Sequence, residues 1–150
     1  MSEDLGDLAR ELSRRWHDLG SALRSRRLLE SLHGDATLTP SKLRGLAVLG
    51  EADGLRIGEL AERVGVDETT ATRLADRLEE DGLAERRRDA ADRRVTVVAL
   101  TKEGRRLARA MAEQRRRFFE EVLVTLEPDE RAELVRLTAK AADALQVIAR

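Results

Sequence analysis

The stretch from Gly58 to Leu100 constrains the fold more than any other part of the chain. Gly58 to Val64 carries Leu60, Ala61 and Val64 at helical spacing, and Gly65-Val66 interrupts it. Asp67 to Asp81 is a second amphipathic segment, with Ala71, Leu74, Ala75 and Leu78 on one face at 100° per residue. Helix, glycine-containing turn and helix in that order predict a helix-turn-helix. Gly82 ends the second helix. Leu83 to Arg87 then reads as a strand, and Arg94 to Leu100 as its partner, rich in the β-branched residues Val95, Thr96, Val97 and Val98. The ribbon between them turns through a basic loop. The prediction is a winged helix-turn-helix over about residues 39–100.

The flanks are helical. Leu5, Leu8, Leu12, Trp16, Leu19 and Leu23 step by three or four and form one stripe on a helix from about Asp4 to Leu32, stopped at His33-Gly34-Asp35. Thr39 and Pro40 start the next helix as N-cap and first residue, with Leu43, Leu46, Ala47 and Leu49 inward and Gly50 to Gly54 closing it. Leu55-Arg56-Ile57 is at most a minimal strand. Thr101 caps a long helix to about Thr125, striped by Leu107, Met111, Phe118, Val122 and Leu126. Glu127-Pro128-Asp129-Glu130 starts a last helix, striped by Leu134, Leu137, Ala141, Leu145 and Ile148. One mainly α domain with a small β-hairpin is expected over residues 1–150, with helices at about 4–32 and 102–149 outside the winged unit.

Charge points to the same region. The net charge is only −1, but five arginines stand against two aspartates between Arg86 and Arg94. Counterion release depends on local phosphate contacts, so a near-neutral protein with one basic edge can bind DNA. The outer face of the Asp67–Asp81 helix carries Thr69, Thr70, Thr72, Arg73 and Arg77, hydroxyls and guanidinium groups suited to bases and phosphates. The candidate DNA-binding set is those five with Arg86, Arg88, Asp92, Arg93 and Arg94. Asp76 and Glu80 share the helix face and would repel phosphate, although Asp76 could orient Arg73 at i,i+3. In the wing, Asp92 is expected to hold the Arg93 guanidinium.

Catalysis and metal chemistry find no support. There is no cysteine or tyrosine, and neither of the two histidines, His17 and His33, has a metal-spaced partner. The expected cofactor and metal complement is none. No apolar run approaches the roughly 20 residues needed to cross a bilayer. Met1-Ser2-Glu3-Asp4 does not open like a signal peptide, so no membrane partner and a cytoplasmic location are the expectation.

Several segments resemble the MarR family of transcription regulators. Leu38-Thr39-Pro40-Ser41-Lys42-Leu43 looks like its second-helix start, and Ile57-Gly58-Glu59-Leu60-Ala61 with Thr70-Ala71-Thr72-Arg73-Leu74 like its helix-turn-helix core. Leu78-Glu79-Glu80-Asp81-Gly82-Leu83 resembles the exit from its recognition helix, and Asp92-Arg93 with Leu100-Thr101 and Gly104 its wing and following helix. Asp67 departs from the family's frequent serine, and the helix carries no lysine, so base preference does not carry over.

The resemblance implies a ligand-responsive repressor. It would act as a homodimer on a pseudo-palindromic double-stranded operator, with the first and last two helices forming the dimer base. Apolar stripes too long for one small lobe to cover agree with a partner. The family often binds small aromatic acids between the dimer base and the winged lobe. Trp16, His17, Leu46 and Met111 are the candidate lining residues here, while the simpler reading packs Trp16 in the dimer core. The competing function is a winged-helix protein-interaction module without specific DNA binding.

Overall fold

The structure is a computed structural model and describes residues 4–23 and 38–148. The described elements run α1 (Leu5–Leu23), α2 (Pro40–Gly50), α3 (Ile57–Val64), α4 (Glu68–Glu80), β1 (Ala84–Arg88), β2 (Thr96–Leu100), α5 (Lys102–Val124) and α6 (Pro128–Ile148). The expected continuation of the first helix to Leu32 and its stop at His33-Gly34-Asp35 lie outside the described residues. The chain divides into two compact units, residues 1–114 and 115–150.

In the first unit, local chemistry sets each boundary. The Thr39 side chain accepts from the Lys42 N–H, and Pro40 occupies the first position of α2, where an N–H would have no partner. The Glu59 carboxylate accepts the Arg56 N–H at 2.8 Å at the start of α3. That helix begins at Ile57, one residue ahead of the sequence prediction. It ends at Gly65, whose φ of 77° is left-handed and lets its N–H turn back to the Ala61 carbonyl. Asp67 then opens α4, accepting the Thr70 N–H at 2.8 Å.

The buried face of α4 is the predicted one: Ala71, Leu74, Ala75 and Leu78. It packs on Leu43, Leu46 and Leu49 of α2, Leu60, Ala61 and Val64 of α3, and Val98 and Leu100 of β2. Leu46, Leu49, Leu60, Leu78 and Val98 are fully buried and form the centre.

The hairpin pairs antiparallel from Ala84↔Leu100 to Arg88↔Thr96. Leu55 adds a one-residue bridge on the far edge of β2, exchanging both backbone bonds with Val98 at 2.9 and 2.8 Å. Flanked on both edges, β2 is buried continuously from Val97 to Leu100, which accounts for its unbroken apolar run. The strands start later than predicted, at Ala84 and Thr96, because Leu83 and Arg94-Val95 belong to turns.

Thr101 joins hairpin to helix. Its hydroxyl donates to the Gly82 carbonyl at 2.7 Å and accepts the Gly104 N–H at 3.1 Å. A Cβ on Gly104 would stand 1.9 Å from the Leu83 carbonyl oxygen, so only glycine allows α5 to start against that turn. Ala108 and Met111, one and two turns on, close the core from the α5 side.

In the second unit, Arg131 Nε donates to the Leu123 and Leu126 carbonyls at 2.9 and 3.0 Å and so satisfies the end of α5. The Glu130 carboxylate accepts the Glu127 N–H at 2.9 Å ahead of Pro128. No α6 residue is buried: Leu134, Leu137, Leu145 and Ile148 are all exposed. In the first unit the α1 stripe of Leu5, Leu8, Leu12, Trp16 and Leu19 is likewise exposed.

Candidate nucleic-acid interface

The outward face of α4 separates into committed and uncommitted groups. Both Asp67 carboxylate oxygens are held by Thr70, one by its N–H and the other by its hydroxyl at 2.7 Å. The Thr70 hydroxyl bond, then its backbone bond, holds the Asp67 carboxyl below the usual carboxylate range. Thr70 is therefore part of the cap. The Thr72 hydroxyl donates to the Glu68 carbonyl at 2.8 Å, which leaves its oxygen available only as an acceptor. Thr69, Arg73 and Arg77 are exposed, and their side chains make no hydrogen bond or ion pair among the described residues.

The cap has a testable consequence. A carboxylate whose folded value is depressed stabilises the fold above its ordinary titration range, and that stability is lost as pH falls through the depressed value. Asp67→Ala should lower the melting temperature by a few degrees near neutral pH. The gap between parent and variant should close on acidification below the ordinary carboxylate range. An equal gap at acid and neutral pH in thermal scans would assign the loss to something other than the ionised cap.

Two acidic residues were expected to serve neighbouring arginines, and both serve others. Asp76 does not orient Arg73. It binds the Arg86 guanidinium of β1 at 2.7 Å. Glu79, which sequence reasoning left out, accepts the Arg86 N–H at 2.8 Å and a second guanidinium bond. Asp92 does not hold Arg93. It accepts the Arg94 N–H at 3.0 Å and the Arg94 guanidinium at 3.2 Å. The cause is the turn: a carboxylate that caps the N–H two residues on also meets that residue's side chain. The Arg94 side-chain bond is the main reason the Asp92 carboxyl lies below its usual range.

The wing is a braced loop. Asp89 accepts the Ala91 and Asp92 N–H groups at 2.7 and 3.0 Å, and these two bonds, that of Asp92 first, depress its carboxyl. The Asp89 N–H bonds the Val95 carbonyl at 2.9 Å, and the Val95 N–H bonds the Asp92 carbonyl at 2.9 Å. Arg87 reaches the Asp53 carboxylate at 2.8 Å and ties β1 to the loop after α2. Among the described residues Arg88 makes only long contacts, 3.4 Å to the Arg94 carbonyl and 3.3 Å to the Thr96 hydroxyl. Arg93, at the apex, makes no side-chain bond among the described residues, and the Arg94 side chain is 91% exposed.

The four residues expected to line an effector pocket are not equivalent. Leu46 and Met111 are buried in the winged-unit core at 0% and 3% exposure. Trp16 and His17 are exposed on α1. No described cluster of His, Cys, Asp or Glu has the geometry of a metal site, and no described helix is long and apolar enough to cross a membrane.

The family model for the MarR family matches residues 38–96, from the start of α2 to the start of β2. The transcriptional repressor MdtR of Bacillus subtilis is 34% identical over 119 residues, which cover 79% of this chain and 76% of MdtR. The chain belongs to the MarR family. A second relative, the HTH-type regulator YdgJ of Bacillus subtilis, is 32% identical over 69% of this chain, and the match spans 63% of YdgJ. A MarR family protein from Bacillus stearothermophilus superposes with a TM-score of 0.82 at 24% identity, over 96% of this chain and 99% of its own, and shows the same fold. The PcaV regulator of Streptomyces coelicolor, solved with its natural ligand, gives 0.64 at 28% identity over 97% and 99%. The MarR winged helix is thus matched by sequence in the region whose uncommitted polar side chains lie on α4 and the wing.

Proposed function

We propose that this protein is a transcription regulator that binds double-stranded DNA sequence-specifically, as a homodimer on a pseudo-palindromic operator. The winged unit, about residues 39–100, would carry the DNA contacts and the flanking helices the dimer contacts. The observation that carries this reading is the uncommitted set Thr69, Arg73 and Arg77 on α4, with Arg93 at the tip of a braced wing. Hydroxyl and guanidinium groups on a helix suit base edges in a major groove, and an arginine on a ribbon suits the narrow minor groove beside it. Repression is favoured by the likeness to MdtR. A small-molecule effector is supported by the likeness to PcaV, with Trp16, His17, Leu46 and Met111 the candidate contacts, of which Trp16 and His17 are exposed.

A mobility-shift assay with fragments of the source genome tests this against a protein-interaction module. A few fragments should shift at concentrations that leave random DNA unbound. Uniform weak binding, or none, would favour the protein-interaction reading.

The wing supplies a further expected result. Arg93→Ala should weaken operator binding and flatten the dependence on salt by about one phosphate equivalent per wing. The Asp92 carboxylate braces the turn through the Arg94 N–H and guanidinium, so Asp92→Ala should also weaken binding although it removes a negative charge. Tighter binding by Asp92→Ala at matched salt would show that its charge matters more than its turn.

A further inference from the structure

We propose that Arg86 is a positioning residue that locks the wing to the recognition helix, and that it contacts no DNA. The proposal rests on the DNA-binding reading above. Arg86 lies in the middle of β1, opposite Val98. Its backbone N–H points away from β2 and donates to Glu79 at 2.8 Å, filling a donor that a bare strand edge would leave open. Its guanidinium forks onto Asp76 and onto the second Glu79 oxygen, so two carboxylates one helical turn apart share one arginine. The Arg86 and Glu79 side chains are 33% and 28% exposed, so that pair is screened less than a fully exposed one, while Asp76 is more open at 49%.

Three bonds at one residue thus join the element suited to the major groove to the element suited to the minor groove. The connection they brace is short and open: Gly82 adopts a φ of 70°, and a Cβ there would meet nothing within 4 Å. The pairing also offsets one of the two negative charges that Asp76 and Glu79 place on α4. Two of the Arg86 guanidinium N–H groups are already committed to these carboxylates.

A phosphate ligand and a brace predict opposite signs. If Arg86 were a phosphate ligand, Asp76→Asn with Glu79→Gln would release it and remove two negative charges, and DNA would bind more tightly. If it is a brace, the same change weakens binding.

The probes are the duplex most enriched from a random pool by the parent protein and a scrambled duplex of equal length, titrated at several salt concentrations. Arg86→Ala and the Asp76→Asn, Glu79→Gln pair should each lose about tenfold on the enriched duplex. They should change little on the scrambled one, with the salt slope kept. Hydroxyl-radical protection of the flanking minor groove should fade, while guanine N7 protection in the major groove persists. Glu79→Gln alone keeps an acceptor for the Arg86 N–H and guards against a folding defect; it should give a smaller loss of the same sign.

Tighter binding by the acid variants overturns the proposal, as does an equal loss on both duplexes by Arg86→Ala with a salt slope lower by about one ion per half-site. A parent that does not distinguish the duplexes overturns the regulator reading itself, whereas a selective parent with insensitive variants overturns this proposal alone.

Discussion

Replacing Leu137 and Leu145 by aspartate should yield monomers and reduce operator affinity by roughly 10²–10⁴-fold, the factor lost when two linked binding events become independent. Both side chains are about half exposed in the single chain, and α6 buries nothing of its own. The substitutions therefore remove no intrachain core. In the proposed homodimer their cost would fall on a chain–chain contact, where each aspartate would be a buried charge without a partner. Exposed leucines on α1 and α6 form apolar stripes of the kind that mark a protein interface, and a two-fold pair is the commonest way to cover them. Sedimentation velocity reads the assembly and titration reads the affinity. A double variant that remains a dimer and binds with parental affinity would remove these leucines from the interface.

Arg73→Ala should cost about 1–3 kcal/mol per half-site on the preferred operator, and less on random DNA. Arg73 is the strongest candidate for a base contact because it lies mid-helix on the exposed face of α4 and no acid among the described residues holds it, Asp76 being engaged by Arg86. A two-fold operator presents the lost contact twice. Arg73→Lys should recover only part of the loss, since an ammonium lacks the paired donors that match guanine O6 and N7. Equal weakening on operator and random DNA would make Arg73 a phosphate clamp.

The chain's punctuation was legible in its sequence. Thr39-Pro40, Asp67, Gly82 and Thr101 each act through a bond within four residues or a single backbone conformation, and each stands where it was expected. The buried face of α4 was equally readable, because helical period alone assigns it.

Contacts across elements were not legible. The Asp76 and Glu79 pairing with Arg86 spans a turn and a change from helix to strand, so no fixed spacing announces it. Asp92 was assigned to its neighbour Arg93, while the bend at residues 93–94 delivers Arg94 instead. The family resemblance offered Leu46 and Met111 as pocket lining, and their depth in the winged-unit core is set by packing between elements that no spacing announces. The exposed leucines of α1 and α6 are the converse case: the stripe was readable, but what covers it is not written in one chain.

Selection of duplexes from a random pool by the purified full chain tests the central claim most directly. The account predicts enrichment of one motif with two inverted half-sites about 34 Å apart centre to centre, one turn of the double helix. It also predicts that the enriched duplex loses its advantage when Arg73 is replaced by alanine. A pool that stays random after repeated rounds, or a single half-site enriched without a two-fold mate, would contradict it.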